Sequence, residues 1–161
     1  MSRYFFIVAG SLVLIVIQTT VVSLISLEGI TPDVLAIWVV YLALREGQMR
    51  GTVIGFAVGL VFDLATGSFI GLSALTKTIC GFMAGYFYDE NKTKLILGSY
   101  RFLLIMMMSS FVHNVLYFIL FTRGTEIGLL GAVFQFGFTT TLYTSALALI
   151  PLFVYSRTSG A

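Results

Sequence analysis

Between Arg3 and Glu28 the chain runs for 24 residues without a charge. At 1.5 Å per residue, a helix of that length crosses the ~30 Å of hydrocarbon in a bilayer. In lipid each backbone N–H and C=O needs a partner within the spanning structure, and the run is too long for a barrel strand of about 10 residues, so it must be helix. The remainder of the chain has the same character. Of 161 residues, 58% are hydrophobic and only 10% charged, where soluble domains carry roughly a quarter charged. The mean hydropathy is +1.02. So little polar surface cannot clothe a core in water, and the chain reads as an all-α integral membrane protein whose first partner is the lipid bilayer. No Ala-x-Ala cleavage site follows the first run, so it is expected to be a retained span rather than a signal peptide.

Charge and rare residues exclude several functions. A net charge of +2 points to no nucleic-acid partner. One cysteine, Cys80, and one histidine, His113, build neither a disulfide framework nor a zinc cage. No cofactor or metal site is expected.

Residues 4–25, 102–121 and 128–155 are long enough to span, the last only if it tilts or begins at the interface. Residues 32–44, 51–66 and 71–88 are weaker candidates. The first is short, but it opens on Thr31-Pro32-Asp33, a good helix start with an acid at the positive end of the dipole. The other two carry Asp63 and Lys77. With six spans and both termini cytoplasmic, Arg3, Arg45, Arg50, Lys92, Lys94, Arg101 and Arg157 fall inside, and only Arg123 falls outside. Losing the 32–44 span would move Arg45 and Arg50 to the outer side. A re-entrant hairpin over 51–88 would give the same sides, so charge leaves that choice open. The expected fold is six transmembrane helices in a compact bundle, one domain over 1–161. Its inner loops, "LREGQMR" and "DENKTK", read either as solvated anchors or as a docking surface for a cytoplasmic partner.

Glycine punctuates the weak spans every fourth residue. Gly51, Gly55, Gly59, Asp63, Gly67 and Gly71 form one such series, and Ser73, Lys77, Gly81, Gly85 and Asp89 form another. Residues four apart share a helix ridge, and small ridges let helices approach closely in lipid. A charge on such a ridge faces the bundle. The turn "GSFIG" joins the two helices. Asp63 lies ~6 Å below its first glycine and Lys77 ~9 Å below its last, by helix rise. The matching depth predicts an intramembrane Asp63–Lys77 ion pair, either a structural clamp or a ligand or proton site.

Other polar residues are weaker candidates. His113 and Asn114 sit mid-span and are expected to bond neighbouring helices, with a proton relay as the alternative. Gln18, Thr19 and Thr20 read as a helix–helix contact, and Pro151 as a kink. Met106 to Met108 suit gap-filling. Gly71-Leu72-Ser73-Ala74 faintly resembles the nucleophile motif of rhomboid proteases, but Ala replaces the last Gly and Ser73 is far from the depth of His113. The chain is not expected to be an enzyme.

The run from Pro32 to Tyr86 resembles the MreD family of bacterial rod shape-determining membrane proteins. The resemblance is carried by Pro32-Asp33, Arg45, Gly47, Gly51, Gly55-Phe56, Gly59-Leu60, Asp63, Gly67, Gly71 and Ala74-Leu75. Glu46 departs from it, standing where a basic or neutral residue is expected. The resemblance implies a multi-pass protein of the bacterial inner (cytoplasmic) membrane, a non-enzymatic scaffold of the cell-elongation machinery. It implies binding to MreC, a bitopic protein, and through it a link between the MreB cytoskeleton and peptidoglycan synthases. It leaves a homodimer within that complex open. It also implies a six-helix fold similar to the S-components of energy-coupling-factor vitamin transporters. The rival reading is therefore a subunit that binds a vitamin or metal ion. Against it, the first span "YFFIVAGSLVLIVIQTT" lacks the Ala-x-x-x-Ala docking patch of those subunits, and long outer loops are missing. A small secondary transporter is a third reading.

Overall fold

The chain's structure is a computed structural model that describes residues 2–22, 24, 31–121 and 137–153. Helix α1 (Ser2–Ile17) continues as a π turn, Gln18–Val22. It is followed by α2 (Val34–Glu46), α3 (Gln48–Thr66), α4 (Leu72–Tyr86), α5 (Thr93–Leu97), α6 (Tyr100–Phe121) and α7 (Phe138–Leu147). All regular structure among the described residues is helical. Among the described residues, three stretches, Arg3–Val22, Gln48–Thr66 and Tyr100–Leu120, are long and apolar enough to cross a membrane; Phe138–Phe153 is a shorter apolar helix. Residues 23, 25, 128–136 and 154–155 of the expected spans lie outside the described residues.

The shortest of the candidate spans is the centre of the core. At 13 residues, α2 is only about 20 Å long, yet Leu35, Ala36, Val39, Val40, Leu42, Ala43 and Leu44 on it are buried. A helix apolar on all sides is one surrounded by protein. It packs with Cys80 and Ala84 of α4 and with Phe102, Ile105 and Met106 of α6. By contrast α1 exposes Phe5, Phe6, Val8, Leu12, Val13 and Val16, a surface suited to lipid.

The expected loop "LREGQMR" is almost entirely helix. Gly47 alone separates α2 from α3, at φ 91°, where only glycine is at ease. The polar connection after α4 carries α5, a short helix the sequence reading missed because Thr93–Leu97 is one turn long. The last helix is interrupted at Ala148, three residues before Pro151, whose missing N–H leaves a carbonyl of the preceding turn without its helical donor.

The α3–α4 hairpin shows how the glycines act. A Cβ on Gly55 would collide with the Lys77 carbonyl, one on Gly59 with Ser73 and Ala74, one on Gly81 with Gly51, and one on Gly85 with Gln48. Gly51 sits against Ala43 of α2. These are backbone-on-backbone contacts. Gly67 and Gly71, expected to pack helices, instead sit in open space at φ 65° and 99°. They extend the numerical series but not the ridge, because the helix has ended and they make the turn.

Candidate functional site: a buried Asp33–Lys77–His113 cluster

Asp63 and Lys77 do not pair as expected. Asp63 is fully buried and caps α4 from the neighbouring helix. Its carboxylate accepts from the backbone N–H groups of Gly71 (2.9 Å), Ser73 (3.1 Å) and Ala74 (3.2 Å), and from the Ser68 hydroxyl (3.3 Å). Gly71, the N-cap residue of α4, has no side chain to satisfy those amides. Asp63 supplies the missing acceptors, and its negative charge suits the positive helix end.

Lys77 leaves the hairpin for a physical reason. The Lys77 carbonyl lies against Gly55, so no room remains between the helices for a long side chain. The side chain turns toward α2, and its ammonium donates to Asp33 Oδ2 at 2.5 Å. It also stands 5.4 Å from the centre of the Phe62 ring, within cation–π range. His113 Nε2 approaches the same Oδ2 at 3.1 Å from α6. Asp33 thus does two jobs. Oδ1 caps α2 by accepting from Ala36 N–H at 2.9 Å, and Oδ2 binds the two basic groups.

Neighbouring side chains complete the polar centre. Gln18, in the π turn, accepts from Val34 N–H and donates to the Pro32 carbonyl, both at 2.9 Å. It thereby stitches α1 to the start of α2. The Thr144 hydroxyl accepts from Asp33 N–H at 3.0 Å. Asn114 donates to Thr141 at 2.9 Å, joining α6 to α7. A cavity of about 310 Å³ lies beside the cluster, lined by Asp33, Phe62, Ser73, Lys77, His113 and Asn114 among others.

Of the residues singled out in the sequence, Asp33, Lys77, His113 and Asn114 come together, and Asp63 stands apart in the last turn of α3. Arg45 belongs to neither: its guanidinium donates to the Tyr41 hydroxyl at 3.1 Å and lies 3.9 Å from Glu46, at the other end of α2. Glu46 itself was missed. Its carboxylate is buried and binds Arg3 of α1 at 2.9 Å through Nε and Arg50 of α3 at 3.2 Å. Its place among basic residues held the clue: an acid there needs its neighbours.

No group of three or more His, Cys, Asp or Glu poised for a metal occurs among the described residues. The cluster is therefore one carboxylate holding two bases, suited to fixing three helices or to meeting a polar ligand.

Comparison with known proteins places the chain as a whole. No curated protein and no solved structure matches it. The family model for rod shape-determining protein MreD matches residues 2–157, essentially the full length. The chain belongs to the MreD family of rod shape-determining membrane proteins.

Proposed function

We propose that the protein is a non-enzymatic scaffold of the bacterial rod complex, held in the inner membrane by six helices with both termini cytoplasmic. It binds MreC and through it links the MreB cytoskeleton to the peptidoglycan synthases that build the lateral wall. The observation that carries this reading is the family match over residues 2–157. The fold supports it: among the described residues the outer surface is rich in exposed apolar side chains, which suits contact through helix faces. The α1–α3 groove, about 410 Å³ and lined by Ile7, Leu12, Ile15, Val53, Ala57 and Val58, is one such face.

The rival, an S-component-like transporter subunit, draws on one observation, the polar cavity beside Asp33. Co-purification of the tagged protein from its host separates the two. A bitopic periplasmic protein with wall synthases is the expected result. An ATPase pair with a large transmembrane subunit would overturn the scaffold reading. Depletion is expected to round rod-shaped cells.

A further inference from the structure

A purely structural cluster leaves one atom without a role. Asp33 and Lys77 satisfy each other, but His113 Nδ1 is buried and has no hydrogen-bond partner among the described residues. Leaving a buried polar atom unpaired is costly, so a partner is expected there. In the tautomer that donates from Nε2 to Asp33, Nδ1 is left as an acceptor. The Lys77 ammonium has three N–H donors, and one of them goes to Asp33. Both basic groups meet on one carboxylate oxygen, and both side chains line the same cavity.

The cavity they line holds about 310 Å³, at the small end of ligand pockets. Phe62 and Phe118 give it apolar walls; Ser73 and Asn114 add polar ones. Lys77 repels a cation, and Asp33 Oδ2 already takes two donors. What remains on offer is cationic donors beside a lone-pair acceptor. We propose that the cavity binds a small anion that also carries a hydroxyl, its oxyanion on the Lys77 ammonium and its hydroxyl donating to His113 Nδ1. A glycerol phosphate group has this chemistry, either free in solution or as the headgroup of an anionic phospholipid.

The chain has a single histidine, so the imidazole resonances of ¹⁵N-histidine-labelled protein report on His113 alone. In phosphatidylcholine nanodiscs, glycerol 3-phosphate is titrated while Nδ1 is followed. A second sample replaces part of the lipid with phosphatidylglycerol. A saturable Nδ1 shift with glycerol 3-phosphate identifies a soluble ligand. A shift only with phosphatidylglycerol identifies a lipid headgroup. Either is expected to vanish in Lys77→Gln, and in Thr140→Trp, which fills the cavity from its wall and leaves the charged cluster in place. An unmoved Nδ1 with both probes in the natively folded protein, or a shift that persists in Thr140→Trp, overturns the proposal and leaves water as the occupant.

Discussion

At the scale of the residue, two buried aspartates do different work. Asp63 faces backbone amides and needs no cation; Asp33 faces a lysine and a histidine. Double-mutant cycles distinguish the roles. Asp33→Asn with Lys77→Met is expected to show a coupling of about 1–3 kcal/mol, since each partner leaves the other buried and uncompensated. Asp63→Asn with Lys77→Met is expected to be additive within about 0.5 kcal/mol. Thermal unfolding in detergent reads both; strong coupling in the second cycle would restore the hairpin pair. Asp63→Asn alone is still expected to destabilise, because an amide offers one acceptor where the carboxylate offered two, and turns its own donors toward N–H groups. Hydrogen bonds to a charged group are worth roughly 1.5–3 kcal/mol each.

At the scale of the element, glycines of one numerical series divide into two kinds. Gly55 and Gly59 meet the α4 backbone, whereas a Cβ at Gly67 or Gly71 would meet nothing and both residues hold positive φ. Gly55→Ala has no flexible neighbour to displace, so the hairpin must separate. A loss of about 1–3 kcal/mol is expected, as for overpacked cores. Gly67→Asn, with a residue that tolerates the left-handed region, is expected to cost much less than Gly67→Val. Equal tolerance of Asn and Val at 67, measured by melting temperature, would contradict the turn. The ladder was legible because spacing by four is a property of any helix. The turn was legible as well, in "GSFIG"; the spacing by four misled only in giving Gly67 and Gly71 a packing role, since a glycine at the same interval beyond the helix end no longer lies on its ridge.

At the scale of the whole molecule, polar groups fasten the bundle at both ends of α2. Asp33 holds α4 and α6 at one end, and Glu46 holds α1 and α3 at the other. The arginines around Glu46 are about half exposed, so each pair alone would be weak in water. Their shared, buried carboxylate is what gives the network its geometry. Glu46→Ala is expected to loosen α1 from the bundle, seen as faster proteolysis near the N-terminus or faster amide exchange in α1, with the α3–α4 hairpin unaffected. If exchange in α1 is unchanged, the glutamate is not the fastening.

The sequence by itself determined the solvent, the helical class, the family resemblance that the full-length match bears out, and the close approach that small residues allow. Those follow from composition and from period, which are local and additive. Tertiary structure alone decided the partners of the charges. Asp33 and Lys77 are 44 residues apart, and Arg3 and Glu46 43 apart, and no periodicity within one helix reports which way a long side chain leaves a crowded interface. The close glycine packing that the sequence foretold is what drove Lys77 out of the hairpin and onto Asp33. The same tight turn placed Asp63 over the open end of α4, where bare amides were its strongest available partners.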